Sequence, residues 1–367
     1  MEQVPSQNFL TLHEFVKAAK VQLNANAWDY LVGGTETETT LRRNRLSLDQ
    51  IALRPRILRD VSKIDASSTF LGKPVRLPVL LAPVGSLDTF DPDAGVTVGQ
   101  AAGRFGVPMM LSSVNQRPLA EVRAQTRAPL VFQLYVRGDE AFVDERVAEA
   151  TEAGYDAFCL TVDTAVYSRR ERDIAKRFVK RWRAAREGMD FQAALNWRDV
   201  ERFKSKHKIP LMLKGIGTPE DARIAVEHQV EVVYVSNHGG RQLDHGRGSM
   251  DVLPEIVDAV GGKARIIVDG SFSRGTDIVK AMALGVEAIG VGRLYCYALA
   301  AAGADGVVRM LEILENEVQS ALGLTGVTRY DQLDRSYLHF GAPPVNEPGV
   351  FSAFPLLNLD DPGYGGR

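Results

Sequence analysis

Eight short apolar runs recur along the chain, each followed by a stretch with helical periodicity. The runs are 78–84, 107–112, 130–136, 157–163, 211–216, 232–237, 265–270 and 288–293. Each is apolar or β-branched throughout rather than alternating, which is typical of parallel strands buried on both faces. Eight strand–helix units over roughly 215 residues predict an α/β fold, a closed (β/α)8 barrel of the TIM type. An open, doubly wound sheet is the alternative.

The stretches between the runs carry helix signals of their own. Segments 94–106, 139–154 and 218–229 contain good helix formers. The last begins with Thr218 as N-cap and Pro219 at the first helical position, followed by two acidic residues that favour the positive end of the helix dipole. The whole chain, 1–367, is therefore predicted to be one barrel domain with its barrel at about 70–325.

Three segments lie outside the eight units. Residues 10–50 are predicted to form helices before the barrel, and residues 169–205 form a long insert after strand 4. The segment 169–186 is strongly basic, which is more typical of a solvated helix than of a partner site. The tail 340–367 is rich in Pro and Gly, and its composition leaves open whether it is disordered or lies across a neighbouring subunit.

Charge and cysteine content limit the classes of partner. The 44 basic and 46 acidic residues nearly cancel, which argues against nucleic acid because phosphate binding needs a basic face. Cys159 and Cys296 stand far apart in apolar runs and predict a reducing compartment without disulfides. No signal peptide and no uninterrupted apolar run of membrane length is evident, so we expect a cytoplasmic protein without a membrane span.

Polar side chains lie at or near the ends of seven of the eight runs. In a (β/α)8 barrel the chemistry takes place at the carboxyl ends of the strands, so these groups are expected to converge on one rim. They are Ser112, Gln133, Tyr135, Thr161, Asp163, Lys214, Ser236, His238, Asp269 and Arg293.

The segment SNHGGRQLD (236–244) is the densest in reactive groups. His238, placed at a strand end, is suited to proton transfer near neutral pH, and Arg241 is suited to binding a carboxylate. A buried histidine in a glycine turn is the alternative reading of this segment.

Glycine-rich loops follow the last two strands, at DGSFSRG (269–275) and VGRL (291–294). This is where such barrels commonly bind phosphate, and Arg293 favours an anion over simple turn glycines. The segments HExxH, paired CxxC, GxSxG, GxGxxG and the Walker loop are all absent, so no metal site, serine hydrolase or NTPase is predicted.

Taken together, these motifs resemble the FMN-dependent 2-hydroxy acid oxidases and dehydrogenases. The resemblance covers about Leu10 to His339 and includes FQLY, LTVDT, RRERDI, LMLKG, SNHGGRQLD and RGTD in family order. It implies FMN as cofactor, a 2-hydroxy acid as substrate, O2 or another electron acceptor, and a homo-oligomer such as a homotetramer or octamer.

The resemblance also implies roles for single residues. His238 would be the base and Asp163 would orient its imidazole, as in catalytic triads. Arg170 and Arg241 would bind the substrate carboxylate, with Tyr30 and Tyr135 against the carboxylate or hydroxyl.

The FMN site is implied in the same way. Lys214 would face the flavin edge where negative charge develops on reduction, which is a catalytic as well as a binding role. The other implied FMN contacts are Pro83, Val84, Ser112, Gln133, Thr161, Ser236, Asp269, Gly270, Ser271, Ser273, Gly292 and Arg293.

Two departures from the family pattern are informative. Val114 stands where many members have tryptophan, which predicts a more open pocket and a bulkier, aryl-type substrate. Ser271 and Ser273 replace a glycine and an arginine of the phosphate loop, so one phosphate cation is lost. Two alternatives stay open: an FMN enzyme for an unusual substrate, such as a modified peptide end or an acid that is oxidatively decarboxylated, and a barrel that binds an anion without redox chemistry.

Overall fold

Eight parallel strands close into a barrel in the computed structural model, which describes residues 6–178 and 188–358. The strands are β1 (Val79–Leu81), β2 (Met109–Ser112), β3 (Leu130–Leu134), β4 (Ala157–Thr161), β5 (Leu211–Ile216), β6 (Val232–Val235), β7 (Arg265–Asp269) and β8 (Ala288–Val291). Pairing of Ile289 with Val79 joins β8 to β1 and completes the ring. The predicted (β/α)8 barrel is confirmed, since each of the eight apolar runs contains one strand.

Each strand is followed by a helix of the outer ring, with two further helices in the insert after β4. The helices of the outer ring are Gly95–Phe105, Leu119–Ala124, Glu140–Glu152, Trp197–Lys206, Pro219–Glu227, Ser249–Val260, Gly275–Met282 and Arg293–Thr325. The predicted cap is present, because the Thr218 hydroxyl accepts a hydrogen bond from the backbone N–H of Asp221 at 3.2 Å. Alternation of these helices with the strands covers the outer face of the sheet, so strand residues on both faces are buried.

The barrel interior is filled by one cluster of apolar side chains. Leu80, Met110, Cys159 and Tyr234 belong to this cluster and are fully or almost fully buried. A small hairpin, Ser68–Phe70 with Lys73–Val75, adds Phe70 at the end where the strands begin. Because this end is closed by packing, the opposite end is left for polar groups.

The predicted N-terminal extension consists of helices Leu12–Gln22, Ala25–Val32 and Thr39–Asp49. Strand Ile51–Leu53 pairs with Leu338–Phe340 near the other end of the chain. Short 3-10 turns occur at Ser6–Asn8, Leu87–Thr89, Tyr330–Gln332, Arg335–Tyr337 and Pro355–Asn358.

The insert after β4 is shorter than predicted. Helix Trp197–Lys206 is the fourth barrel helix, since its Val200 and Phe203 are buried and Phe203 packs on Phe158 of β4 with ring centroids 5.5 Å apart. The insert carries helices Glu171–Ala175 and Met189–Ala194. The basic segment 169–186 lies partly outside the described residues, because 179–187 are not among them.

The last barrel helix contains a long apolar stretch. Within the described residues, Arg293–Gln332 is the one helical segment long and apolar enough to cross a membrane, but 67% of its most apolar window is buried inside the protein. Packing in the core therefore accounts for its composition. The helix bends at Ala302 and Gly303, whose backbone angles are not helical.

The described part of the C-terminal tail packs on the N-terminal helices of the same chain. Phe351 stacks on Trp28 with ring centroids 5.7 Å apart, and Phe354 meets His13 edge-on at 5.6 Å. The residues after 358 lie outside the described part of the chain. The tail up to that point is thus part of the packed domain.

Candidate active site

A cavity opens at the carboxyl ends of the barrel strands, and we call it the central cavity. It contains about 1130 Å³ of atom-free space, open solvent at its mouth included. Most of the predicted site residues line it. They are Tyr30, Pro83, Val84, Val114, Tyr135, Arg170, Lys214, His238, Arg241, Asp269, Gly270, Ser271, Ser273, Gly292 and Arg293.

The other five predicted residues stand behind this lining. Ser112, Gln133 and Thr161 end strands β2 to β4 or lie one residue short of the end, and all three are at most 1% exposed. Ser236 directly follows β6, and Asp163 lies two residues past β4. The structure therefore brings all the predicted residues together at one end of the barrel.

His238 lies in the turn after β6, three residues past the strand, rather than at the strand end as predicted. Its φ of +59° is in the left-handed region, which is uncommon for a residue with a Cβ. The side chain is held from both sides: Nδ1 lies 3.0 Å from Asp163 Oδ1, and Nε2 lies 3.2 Å from Tyr135 Oη. Since a carboxylate can only accept, Nδ1 donates to Asp163 and Nε2 keeps a lone pair.

The environment keeps this imidazole neutral and its partner ionised. Burial lowers the pKa of His238 below its ordinary value, although the neighbouring Asp163 opposes the shift. Burial alone would raise the pKa of Asp163, but attraction and hydrogen bonding from His238, together with Lys214, leave it below its ordinary value. A neutral histidine backed by a carboxylate is suited to accept a proton at neutral pH.

Lys214 forms the centre of a second polar cluster on β5. Its Nζ donates to Ser236 Oγ at 2.8 Å and lies 3.4 Å from Asp269 Oδ2, while Ser236 Oγ donates to Asp269 Oδ1 at 2.7 Å. Burial disfavours the ammonium, but attraction from Asp269 and Asp163 raises the pKa of Lys214 above its ordinary value. The cavity therefore contains a permanent cation with a fixed position.

Three arginines give the cavity a surplus of positive charge. Arg241 and Arg293 both donate to the backbone carbonyls of Leu31 and Gly33, which are neutral acceptors. The Nε of Arg170 is buried without a hydrogen-bond partner among the described residues. Burial, followed by repulsion from Arg170, lowers the pKa of Arg241 to about 9. Such crowding indicates a site that binds anions.

Some buried polar atoms at the strand ends lack a hydrogen-bond partner within the described part of the chain. Both side-chain polar atoms of Gln133 and the hydroxyl of Thr161 are buried with no hydrogen bond to any described residue. Leaving such groups unpaired costs about 1–3 kcal/mol each, so they indicate a ligand with donors and acceptors along one edge.

The loop 269–275 after β7 is held by a residue that the sequence did not single out. Arg45 makes a bidentate ion pair with Asp277 at 2.7 and 2.8 Å and donates to the Ser271 carbonyl at 3.2 Å. Asp277 also accepts from the backbone N–H of Ser273 at 3.0 Å. Ser271 has a φ of +63°, so it keeps a left-handed conformation at a position where the resemblance implies a glycine.

Sequence reasoning also missed several residues that line the cavity. Phe90, Phe272, Tyr297 and Val350 are apolar or aromatic members of the lining. Val350 comes from the C-terminal tail, whose lack of periodicity gave no indication of its position. Phe90, Phe272 and Tyr297 lie in the segments that follow barrel strands, and this position in the sequence could have indicated that they line the cavity.

Comparison with known proteins identifies similar chains over most of the length. The sequence model of the family described as FMN-dependent dehydrogenase matches residues 19–340. The chain is 38% identical to an L-lactate oxidase of a Nostoc species, over 90% of this chain and 98% of that protein. It is 37% identical to the peroxisomal (S)-2-hydroxy-acid oxidase GLO4 of Oryza sativa, over 90% of this chain and 95% of that protein.

Solved structures show the same architecture. A mutant mandelate oxidase with (S)-mandelic acid superposes with a TM-score of 0.85 at 36% identity, covering 92% of this chain and 100% of that chain. A mutant of flavocytochrome b2 gives a TM-score of 0.86 at 32% identity, over 92% of this chain and 88% of that chain.

Proposed function

The chain belongs to the FMN-dependent dehydrogenase family of 2-hydroxy acid oxidases and dehydrogenases, as its motifs implied, and we propose that it oxidises a bulky, aryl-type 2-hydroxy acid with His238 as the base. The observation that carries this proposal is the His238 imidazole, paired with Asp163 and facing a cavity lined by Arg170 and Arg241.

The residues of the central cavity fit FMN. The unpaired atoms of Gln133 and Thr161 suit the heteroatom edge of a flavin ring, and Arg293 with loop 269–275 suits its phosphate. When bound, FMN supplies the acceptor for the two electrons that leave the substrate. Lys214 is suited to the flavin edge that becomes negative on reduction, because its ammonium is buried and its charge is maintained by Asp269.

Substrate binding is assigned to the arginines and to Tyr30. Arg170 and Arg241 bind the carboxylate, since each guanidinium offers several donors to two oxygens. Tyr30 lies under the Arg241 guanidinium, 4.9 Å from the ring centroid, and its hydroxyl donates to the Gly85 carbonyl at 3.2 Å. These contacts fix the carboxylate so that the C2 hydroxyl and hydrogen face the base.

Proton transfer is assigned to His238. Oxidation of a 2-hydroxy acid removes two electrons and two protons, and Nε2 of His238 takes one of these protons. The resulting imidazolium is stabilised by the Asp163 carboxylate at 3.0 Å. Tyr135 lies within hydrogen-bond distance of the same nitrogen and orients either the base or the substrate hydroxyl.

The apolar side of the cavity determines which size of substrate side chain fits. Val114 is half-buried and stands 3.5 Å from the position that a Cβ on Gly85 would take. A valine leaves more space there than the tryptophan of many family members, which favours an aryl or branched side chain.

Electrons then pass to O2, forming peroxide, or to another acceptor. We also propose a cytoplasmic homo-oligomer, a tetramer or octamer, and the two free, buried cysteines suit a reducing compartment.

Anaerobic reduction of the purified protein tests this proposal. The absorption spectrum should show bound flavin, and (S)-mandelate should bleach it faster than glycolate does. Admission of O2 afterwards should restore the band, and peroxide in the solution would identify O2 as the acceptor. Val114→Trp is the matched variant, expected to slow bleaching by mandelate about tenfold or more while bleaching by glycolate is kept.

Two outcomes would contradict the proposal. A colourless protein that FMN does not reconstitute would favour a barrel that only binds anions. A flavin band that no 2-hydroxy acid bleaches would remove the substrate class while leaving the cofactor.

A further inference from the structure

The C-terminal tail contributes to the central cavity from outside the part of the chain that the family model matches. That match ends at residue 340, whereas Val350 lines the cavity. Val350 also lines a second depression, the outer groove, between the N-terminal helices and residues 346–355. A residue that lines both spaces forms a wall between them.

Aromatic contacts on the C-terminal side hold Val350 in place. The next residue, Phe351, stacks on Trp28 with ring planes 8° apart, and Phe354 is 1% exposed. A turn fixes the backbone on either side, because the N–H and hydroxyl of Ser352 both donate to the Gly349 carbonyl, at 3.2 and 2.9 Å. Since these anchors flank Val350, its side chain has a defined position.

The anchored segment lies against the helix that carries a substrate-side residue. Trp28 and Tyr30 both belong to helix Ala25–Val32. Trp28 also packs on Tyr297 of the cavity lining, with ring centroids 5.9 Å apart. The cavity is thus enclosed partly by residues of the barrel and partly by a tail that packs through aromatic rings.

The chemistry of the lining indicates what Val350 meets. The polar groups of the cavity are suited to a carboxylate and a hydroxyl, so the remainder of a 2-hydroxy acid, its side chain, is left to the apolar residues. Val350 joins Val114 and Phe90 in that apolar lining. Burying an apolar side chain against such residues is favourable, and a clash is costly in a packed wall.

We propose that Val350 contacts the side chain of the substrate and limits its size, so that the tail is a determinant of substrate specificity in this chain. The inference rests on the proposed function. It assigns to the tail a role for substrates with an apolar aryl or branched alkyl group.

Substitution at Val350 tests the proposal. Val350→Phe should lower kcat/KM for (S)-mandelate about tenfold or more while changing kcat/KM for L-lactate less than twofold, because only the larger side chain reaches the wall. Val350→Ala should raise kcat/KM for acids bulkier than mandelate relative to kcat/KM for L-lactate. Val345→Ala is the control, since Val345 belongs to the same tail, is 97% exposed and does not line the cavity.

A measurement of binding makes the test independent of turnover. Benzoylformate and pyruvate are the 2-oxo acids of the two substrates, and their Kd values follow from changes in the flavin spectrum. Val350→Phe should weaken benzoylformate selectively. Equal ratios in wild type and both variants, or a parallel loss for both ligands, would overturn the role of Val350. If wild type did not turn over either acid but Val350→Phe still weakened the binding of benzoylformate selectively, the proposed function would be rejected and the contact with Val350 supported.

Discussion

Two neighbouring loops, residues 236–248 after β6 and residues 269–275 after β7, leave the barrel in similar ways. Each contains a residue with a Cβ at positive φ, His238 at +59° and Ser271 at +63°. Each is also tied to helix Thr39–Asp49, the first through Asn44, which exchanges hydrogen bonds with Asn237 at 2.8 and 2.7 Å. The second is tied through Arg45.

The loops differ in the charges that they contribute to the cavity. In the first loop, His238 keeps both of its partners and Arg241 lines the cavity. In the second, the position that carries a cation in the family is Ser273, whose hydroxyl donates to the Ser271 carbonyl at 3.2 Å. The next residue, Arg274, is paired with Glu317 at 2.6 Å. On the proposed assignment, the loop that supplies the base keeps all of its groups, while the loop assigned to the phosphate lacks one cation that the resemblance implies. The proposal therefore predicts that turnover and cofactor affinity respond to different substitutions.

The largest effect is expected in the first loop. His238→Ala should slow reduction of bound flavin by 2-hydroxy acid about 10²–10⁴-fold, because the proposed general base is removed. FMN content should stay as in wild type, since the variant leaves loop 269–275 intact. Anaerobic stopped-flow absorbance measures the rate.

His245→Ala is the control for this loop. His245 is exposed, has a φ of +57° and meets Thr37 at 3.3 Å, so its loss should change the rate less than twofold. Equal rates in His238→Ala and wild type would show that the first loop does not supply the base. A loss of FMN from the variant would show that turnover and FMN binding do not depend on separate loops.

A smaller effect, on stability, is expected at the anchor of the second loop. Arg45→Met leaves the buried carboxylate of Asp277 without its guanidinium and should lower the free energy of unfolding by about 3–5 kcal/mol. Urea denaturation measures this loss, and the variant should also bind FMN less tightly because the loop loses its support.

Arg42→Met, on the same helix, is the matched control. Its side chain is 59% exposed and meets Glu347 at 3.8 Å, so the expected cost is about 1 kcal/mol or less. Similar losses in the two variants would show that Arg45 is not a special anchor.

The same contrast separates what the sequence could predict from what it could not. The barrel was predictable because its strands are buried on both faces, which leaves continuous apolar runs in the sequence. That His238 and Lys214 meet at one rim was predictable because the carboxyl ends of parallel strands lie at the same end of a barrel.

Contacts between distant segments left no comparable signal. Arg45 is one of 44 basic residues, and only the fold brings it to Asp277, 232 positions away. Val350 lies in a tail without periodicity, where the aromatic contacts to Trp28 decide its position. Helix Trp197–Lys206 was assigned to the insert because the boundary between an insert and a barrel helix depends on packing against Phe158.

The smallest effect concerns the charge missing from the second loop. Ser273→Arg places a guanidinium on a residue that already lines the cavity, and a charge-assisted hydrogen bond to phosphate contributes about 1.5–3 kcal/mol. We expect FMN to bind about tenfold or more tighter, whereas riboflavin, which has no phosphate, should bind as before. Quenching of flavin fluorescence by the apoprotein gives both Kd values, with Ser273→Ala as the control for loss of the hydroxyl alone. Equal tightening of FMN and riboflavin would place the new charge away from the phosphate, and unchanged FMN binding would mean that Arg293 and the loop backbone already satisfy it.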